Sequence, residues 1–208
     1  MTRIYCCLPI YLKFFSLILI SIVMVGCASS PRTKIELDSA QHQQKLAALQ
    51  HWQIKGKFGF RSPEQKQSAN LSWLQNSDDY QLSLSTILGT SILSLQGNPQ
   101  WASLKADDET YNGASASELI WQMTGWTIPV EQLPTWIKGQ SLKSDKVVLS
   151  EQGWIEELQP TCINCRGWTL RFTDYQAVEN YWLPHKIKLT HKKNSVDVTI
   201  KINSWETN

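Results

Sequence analysis

Residues 83–95 read SLSTILGTSILSL, and this stretch contains the pattern that decides the fold. Small polar residues alternate with leucine or isoleucine on both sides of a short turn, which predicts two antiparallel strands with one apolar face. The turn reads Ile87-Leu88-Gly89-Thr90, whereas hairpin turns normally carry polar pairs such as Asn-Gly. Two interpretations stay open: the turn is an exposed apolar tip, or it folds back and Leu88 packs in the core.

The same period of two recurs through most of the chain. Residues 51–60, 80–88 and 195–202 each place large apolar side chains on one face and polar ones on the other. Turn signals, for example residues 76–79 and 97–99, separate about nine to eleven short strands of this kind. Short connections make antiparallel neighbours, and a sheet with one buried face tends to curl. We therefore predict a mainly β (α+β) fold, a barrel or half-barrel.

Two regions have helical patterns instead. One begins near Ser39, which is a plausible helix cap. The other, in the middle of the chain, could begin at Ser115 or Ser117 and is followed by Pro129 and Pro134, which suit short helix starts. This central segment either covers the open mouth of the sheet as a lid or plugs its core.

The N-terminal residues indicate an exported protein. Arg3 and Lys13 precede or flank an uncharged run, residues 14–26, which is shorter than the roughly 20 residues that span a bilayer. The run ends at Cys27 in a pattern that resembles the bacterial lipobox, in which the cysteine is acylated. Ala28, which is not Asp, then implies the outer membrane. The alternative is an ordinary signal peptide with an incidental cysteine.

These features divide the chain into a signal peptide at residues 1–26, a lipidated tether at residues 27–34 and a single domain at residues 35–208. The chain has 20 Lys and Arg against 18 Asp and Glu, and the signal contains two of the basic residues, so the mature protein is formally neutral. A neutral protein lacks the basic patch that nucleic acid requires. We expect no nucleic-acid partner.

Motifs of catalysis are missing from the sequence. It contains neither a Gly-rich phosphate loop nor a Gly-x-Ser-x-Gly nucleophile turn. The four histidines show no metal-ligand spacing, and the acidic pairs are adjacent, so their side chains would point to opposite faces of a strand. We expect a protein that is not an enzyme and that holds no metal and no cofactor.

Cys162-Ile163-Asn164-Cys165 is the one motif with reactive side chains. It lies between two strand-like runs, so in an oxidising periplasm a local disulfide that closes a hairpin loop is the main interpretation. Free thiols and a redox or metal role stay open, although thioredoxin-like catalysis needs the pair at a helix start.

The order and spacing of several motifs resemble the outer-membrane lipoprotein receptor family LolB. The similarity covers about residues 51 to 205. The motifs are WQIKGKF (residues 52–58), NLSW (70–73), LGT (88–90), MTGWTIPV (123–130), LPTWIKG (133–139) and Trp205. The family often has Pro before the leucine of the tip, where this chain has Ile87, and we do not expect the cysteine pair in the family.

The resemblance implies an incomplete antiparallel β-barrel with a helical lid. It implies a lipid-anchored protein on the periplasmic face of the outer membrane that accepts acylated lipoproteins from a periplasmic carrier of the LolA type. Such a receptor then inserts the lipoproteins into outer-membrane lipid without nucleotide hydrolysis. Leu88, with Ile87, occupies the position of the family's membrane-insertion loop. We expect a monomer.

Acyl chains would lie in an apolar cavity inside the half-barrel. The candidate lining residues are Trp52, Phe58, Phe60, Trp73, Leu82, Leu84, Leu93 and Leu95. Two rival hypotheses stay open: a structural or assembly lipoprotein whose β-domain binds no acyl chain, and a periplasmic oxidoreductase that uses Cys162 and Cys165.

Overall fold

A computed structural model describes residues 37–207 of the chain. The predicted signal peptide, Cys27 and the tether at residues 27–34 lie outside the described residues. The described part is built on one antiparallel sheet of eleven strands in the order β6-β5-β4-β3-β2-β1-β11-β10-β9-β8-β7. The sheet does not close, because β6 and β7 are its two edges. The prediction of a mainly β, incomplete barrel of nine to eleven strands is therefore confirmed.

The strands follow one another along the chain as two meanders. They are β1 (His51–Arg61), β2 (Lys66–Asn76), β3 (Asp79–Ser85), β4 (Ser91–Asn98), β5 (Trp101–Ala106), β6 (Glu109–Gly113), β7 (Lys146–Leu149), β8 (Ile155–Gln159), β9 (Trp168–Val178), β10 (Tyr181–His191) and β11 (Val196–Thr207). The first six form one meander and the last five form the other. Pairing of β1 with β11 joins the two meanders into a single sheet.

The alternation of side chains in the sequence sets which face of each strand is buried. On β11, Val196, Val198 and Ile200 are buried, and the residues between them are at least partly exposed. A register shift between Lys55 and Gly56 interrupts the pairing of β1 with β11. A Cβ at Gly56 would collide with the backbone oxygen of Lys201, so this position requires glycine.

Helix α1 (Ser39–Ala48) precedes the sheet. Its N-cap is Asp38, whose Oδ1 accepts hydrogen bonds from the backbone amides of Ala40 (2.9 Å) and Gln41 (3.1 Å). The prediction that Ser39 caps this helix was wrong. The Ser39 hydroxyl instead donates to the carbonyl oxygen of Gly153 at 2.5 Å, which attaches the helix start to the turn between β7 and β8.

The helical segment between β6 and β7 begins with α2 (Ala116–Thr124). Ser115, rather than Ser117, caps α2 by accepting from the amide of Glu118, and Gly125 ends it in the left-handed conformation. A 3-10 turn (Val130–Gln132) and helix α3 (Leu133–Trp136) follow, with Pro134 in the first turn of α3. Both prolines therefore lie at helix starts, as predicted.

The lid and plug hypotheses each describe a different part of this segment. Trp136 and Ile137, in and just after α3, are buried in the main core with β1, β2 and β8–β11. Leu119 of α2 instead packs with Leu95 and Leu104 in a second, smaller core over β4 and β5. The end of the segment plugs the half-barrel, and its beginning covers the inner face near the β6 edge.

Lys138 ties α1 to this segment. Its side chain is only 6% exposed, and Nζ donates to the carbonyl oxygens of Leu46 (2.8 Å) and Leu49 (2.9 Å) at the end of α1. The Leu46 carbonyl oxygen also accepts from the Leu49 amide at 3.3 Å, so Lys138 adds a second donor there and supplies a donor to the Leu49 carbonyl beyond the helix end. Because both partners are neutral, burial lowers the pKa of Lys138 to about 8.

We predict that Lys138→Met lowers the free energy of unfolding by about 1–3 kcal/mol, because two buried carbonyls lose the charged donor that they share. The wild-type stability should rise between pH 8 and about pH 10.5, where the unfolded chain still binds the proton that folded Lys138 has released. This rise should weaken in the variant. Urea titrations at several pH values measure both effects, with the exposed Lys105→Met as control; equal stabilities of the two variants would contradict the prediction.

Candidate functional site

The turn between β3 and β4 presents two apolar side chains to solvent. Ile87 is 89% exposed and Leu88 is 93% exposed. Three contacts hold the turn closed: the Thr86 amide donates to the Thr90 carbonyl oxygen (2.9 Å), the Gly89 amide donates to the Thr86 carbonyl oxygen (3.0 Å), and the Thr90 amide donates to the Thr86 hydroxyl (3.1 Å). We call residues 86–90 the tip turn. The Thr86 carbonyl oxygen also accepts from Nδ2 of Asn70 on β2 at 2.8 Å, and with the turn held in this way both apolar side chains extend into solvent.

The eight candidate lining residues fall into two groups. Trp52, Trp73 and Leu95 are buried, and the ring centroids of Trp52 and Trp73 lie 5.1 Å apart. The other five are half-buried on the inner face. We call these five the apolar seam: Phe58, Phe60, Leu82, Leu84 and Leu93. The structure thus brings these five together at the surface of the core and places the other three inside it.

Strand pairing places the leucines of the seam next to one another. Leu82 pairs with Leu95 and Leu84 pairs with Leu93 across β3 and β4, so that their side chains share the inner face. Leu82 packs against both hydrophobic cores. The seam therefore lies where the main core meets the core under α2.

The loop after α2 covers one end of the seam. The ring centroids of Trp126 and Phe60 lie 5.9 Å apart, and Ile128 packs against both cores. Trp168 at the start of β9 donates from Nε1 to the carbonyl oxygen of Thr127 at 3.2 Å. The sequence analysis assigned these residues to the central helical segment. It could not predict their contact with the seam, because that contact depends on how the segment crosses the sheet.

Ser117 and Glu131 fasten the two ends of this cover to each other. The Ser117 amide donates to Oε1 of Glu131 at 2.8 Å, and the Val130 amide donates to the Ser117 hydroxyl at 2.9 Å. These bonds close the loop on itself, and within residues 37–207 apolar contacts and the bond from Trp168 to Thr127 attach it to the sheet. We call residues 116–132 the cover. Buried side chains of the cover, Leu119 and Val130 among them, belong to the smaller core.

A cleft of about 450 Å³ with a mixed polar and apolar lining lies beside the cover, and of the eight candidate lining residues Trp52 alone is part of its wall. Gln50, Gln75, Glu131, Gln132 and Lys138 line it, together with parts of two turns. Glu131 also lies near Tyr80, whose pKa is raised to about 12, mainly by burial and further by the Glu131 charge. The cleft combines residues far apart in sequence, so only the folded chain reveals it.

The cysteine pair lies in the loop between β8 and β9 and forms a disulfide. Cys165 is buried in the main core, whereas Ile163 between the two cysteines is 82% exposed. His191 Nε2 lies 3.2 Å from the carbonyl oxygen of Arg166, which places this loop beside the end of β10. The disulfide therefore closes a loop that joins two neighbouring antiparallel strands, β8 and β9.

Residues 37–207 contain neither a cluster of metal ligands nor a helix that could span a membrane. Within residues 37–207, no group of three or more His, Cys, Asp and Glu side chains could hold a metal ion. None of the helices in that range has both the length and the apolar character needed to cross a bilayer.

We predict that Cys162→Ala/Cys165→Ala folds with a loss of stability near the low end of the usual range of about 0–5 kcal/mol, because the disulfide closes a very short loop. Reduction of the wild-type protein should give a similar loss. Thermal unfolding followed by circular dichroism, with and without reductant, measures both. An unfolded double variant would contradict a role limited to loop closure.

Comparison with known proteins identifies relatives over nearly the whole chain. The family model described as outer membrane lipoprotein LolB matches residues 50–205. An outer-membrane lipoprotein LolB from Vibrio vulnificus is 34% identical over 197 residues, covering 92% of this chain and 96% of the relative. Another from Shewanella loihica is 34% identical over 188 residues, covering 88% of this chain and 82% of the relative.

Solved structures share the fold at low sequence identity. A LolA superfamily protein from Nitrosomonas europaea superimposes with a TM-score of 0.55 and 6% identity, covering 83% of this chain and 94% of that one. A putative outer membrane lipoprotein-sorting protein domain from Vibrio parahaemolyticus also gives a TM-score of 0.55, with 10% identity, covering 83% of this chain and 92% of that one. At these identities the likeness concerns the fold alone.

Proposed function

Because the chain belongs to the LolB family of outer-membrane lipoproteins, we propose that its apolar seam and tip turn carry out the two halves of a receptor cycle. The protein is an outer-membrane lipoprotein receptor that acts in lipoprotein localisation. In our proposal the seam receives the acyl chains of a client lipoprotein, and the tip turn directs their transfer into the bilayer.

The half-buried state of the seam is the observation that supports reception. Phe58, Leu84 and Leu93 are partly exposed on the inner face, although they are as apolar as the buried Trp73 and Leu95. Each methylene that leaves water gains about 0.8 kcal/mol, so a long acyl chain laid along the seam is strongly stabilised. The cover at residues 116–132 would move aside to admit it.

Transfer in this proposal runs downhill in free energy and needs no nucleotide. The carrier, of the LolA type, must hold the acyl chains less tightly than the seam, and the bilayer must hold them more tightly. A half-exposed seam suits an affinity for acyl chains between those of the carrier and the bilayer, since a fully enclosing cavity would retain the client. We propose that the protein acts as a monomer and without chemical catalysis.

We propose Cys27 as the lipidated residue, residues 1–26 as the signal peptide, residues 27–34 as the tether and residues 35–208 as the receptor domain. Acyl chains on Cys27 would hold the domain at the outer membrane, since each buried methylene adds about 0.8 kcal/mol of membrane affinity. The tether is short, so the tip turn would stay within reach of the same bilayer.

We predict that Cys27→Ala removes the acyl anchor and releases the protein from the outer-membrane fraction. Metabolic labelling with a radioactive fatty acid, followed by membrane fractionation, tests this. Cys162→Ala/Cys165→Ala serves as the control and should remain labelled and membrane-bound. Label retained by the Cys27→Ala variant would contradict the assignment.

The exposure of Leu88 supports an intermittent apolar partner at the tip turn. Burial of a leucine is worth roughly 1.5–3 kcal/mol, yet Leu88 and Ile87 extend into solvent from a turn closed by its own hydrogen bonds. For a lipid-anchored protein, the nearest apolar partner is the outer membrane itself. In the proposal, both side chains dip into the bilayer and bring the adjacent seam against it.

We predict that Leu88→Glu receives client lipoproteins normally but does not release them into the membrane. The charge is unfavourable where the tip turn would meet hydrocarbon, whereas an exposed site should tolerate it with a stability change within about 0.5 kcal/mol. The test uses the lipidated receptor in phospholipid vesicles, supplied with a carrier–client complex. Crosslinking reports client on the receptor, and resistance to a carbonate wash reports client in the bilayer.

Ile163→Glu is the matched control, because Ile163 is 82% exposed in a different loop. It should leave both stages intact. Equal loss of insertion in the two variants would mean that apolar surface in general, rather than the tip turn, drives release. Loss of reception in a folded Leu88→Glu variant would contradict the division between seam and tip turn.

A further inference from the structure

The outer side of the four central strands is basic. Strands β1, β2, β10 and β11 contain seven Lys and Arg residues against two Asp and Glu, although the predicted mature chain is formally neutral. All seven basic side chains are exposed, and they alternate with side chains that face the core, so they share the outer face of the sheet. We call the outer side of these four strands the basic face. Neutrality of the whole chain therefore does not exclude a basic surface.

Three lysines of the basic face are direct cross-strand neighbours. Lys186 on β10 pairs with Lys201 on β11, and Lys201 pairs with Lys57 on β1. Like charges directly opposite each other in an antiparallel sheet are destabilising. We call these three residues the lysine row. Its charges favour contact with an anionic partner, which would relieve their mutual repulsion.

The acidic side chains of the same strands do not neutralise the lysine row. Lys188 Nζ lies 3.0 Å from Asp197, and Lys55 Nζ lies 3.8 Å from Glu206, so each of the two acids already has a lysine. Within residues 37–207, no lysine of the row forms a salt bridge. The positive charge of the row is therefore available to a partner.

A shallow basin of about 290 Å³ adjoins the row on the outer face. Lys55 and Lys57 form one wall, and the other residues around it include Asn70 and serines of β2 and β3. Lys57 Nζ donates to Oδ1 of Asn70 at 2.5 Å, and within residues 37–207 the basin has no acidic lining residue. Ammonium, amide and hydroxyl groups together are donors that suit the oxygens of a phosphate group.

The tip turn and the start of the described chain lie at opposite ends of the sheet. The tip turn lies at the end where β1 finishes, because neighbouring strands are antiparallel. The Leu37 amide donates to the carbonyl oxygen of Gln152 at 2.9 Å, in the turn between β7 and β8 at the other end. An eleven-residue strand such as β1 is about 36 Å long at ~3.3 Å per residue.

This separation limits how the domain can meet the membrane that holds Cys27. Leu37 follows Cys27 by 37 − 27 = 10 residues, a segment that spans at most about 33–36 Å. A domain standing upright on its tip turn would need almost all of that reach. A domain lying on one side of its sheet keeps both ends close to the same bilayer.

We propose that the domain lies on its basic face, and that the partner of this face is the layer of anionic phospholipid headgroups. This proposal rests on the proposed function. Each Lys or Arg close to an anionic membrane strengthens binding about five-fold, within a Debye length of the surface. In this orientation the cover and the seam face the periplasm, from which the carrier would arrive, and the tip turn lies at the margin of the membrane contact.

Acetylation of lysine amines tests the contact residue by residue. The lipidated wild-type protein is placed in vesicles of phosphatidylethanolamine and phosphatidylglycerol, or of phosphatidylcholine alone, and treated with a water-soluble acetylating reagent. Mass spectrometry then gives the rate for each lysine. The lysine row should react about five-fold more slowly in the anionic vesicles. Lys45 is the internal control, because it is exposed on α1, which Lys138 ties to the central segment, and it should react equally in both.

Salt and the carrier provide two further arms of this measurement. About 1 M salt should abolish the difference between the vesicles, since the Debye length falls to about 3 Å. Equal reactivity of the lysine row in the two kinds of vesicle at low salt would overturn the proposal. Protection that appears only when the carrier is added would assign the basic face to an acidic surface of the carrier and would also overturn it.

A triple substitution, Lys57→Gln/Lys186→Gln/Lys201→Gln, removes the charge of the row. All three side chains are exposed, so the variant should fold. The matched control loses the same charge at exposed lysines outside the basic face, in Lys45→Gln/Lys143→Gln/Lys146→Gln.

The readout for both variants is the acetylation of Lys55 in the anionic vesicles, because Lys55 lies in the basin beside the row. Its rate should rise toward the rate in phosphatidylcholine when the row is substituted, and it should stay at the wild-type value in the control variant. Equal rates in the two variants would contradict a contact made by the basic face.

Client transfer separates this inference from the proposed function. If the lysine row is protected by anionic vesicles but Leu88→Glu releases client normally, the role of the tip turn fails and the contact of the basic face stands. If Leu88→Glu blocks release while the row reacts equally in both kinds of vesicle, the role of the tip turn stands and the contact of the basic face fails.

Discussion

The pairing of β1 with β11 is the constraint on which the rest of the structure depends. It joins a six-strand and a five-strand meander into one sheet and leaves β6 and β7 as distant edges. The chain between those edges must then cross the open side, and it supplies both α3, which enters the core, and the cover. The missing side chain at Gly56 allows the two strands to approach where their register shifts. A bulkier residue there would disturb the junction between the meanders.

The open sheet explains why the molecule has two hydrophobic cores with a seam between them. A closed barrel of about eight strands fills its interior with side chains around one core. Here the main core is filled by aromatic rings such as Trp52, Trp73 and Trp136, whereas the inner face beneath α2 is packed by smaller side chains. The partly exposed leucines and phenylalanines of the seam lie at the boundary between the two cores. In the proposed function, an acyl chain would lie there without dismantling either core.

Most of the fold could be predicted because the period of two is a local property of the sequence. It located the strands, and the turn residues located the connections. The cap of α1 was misplaced by one residue because Asp38 and Ser39 both suit the position, and only the long-range bond of Ser39 to Gly153 decides between them. The division of the candidate lining into buried and half-buried residues depends on which strands α2 and α3 cover. The role of Lys138 and the cleft could not be predicted for the same reason. Nothing in the sequence around Lys138 indicates that its side chain donates to the carbonyl oxygens of Leu46 and Leu49.

The junction between β1 and β11 also has a consequence for the order of events during biogenesis. A sheet whose central pair unites the beginning and the end of the domain has high contact order, and folding of such topologies is slow. When the first meander leaves the export channel, the edge of β1 that pairs with β11 is still free and the apolar inner face is exposed to water. Both remain exposed until the twelve residues of β11, Val196–Thr207, have also been exported. Such a chain is prone to aggregation while it waits. We therefore expect the newly exported receptor to depend on periplasmic holding chaperones more than proteins that complete their sheets from neighbouring segments.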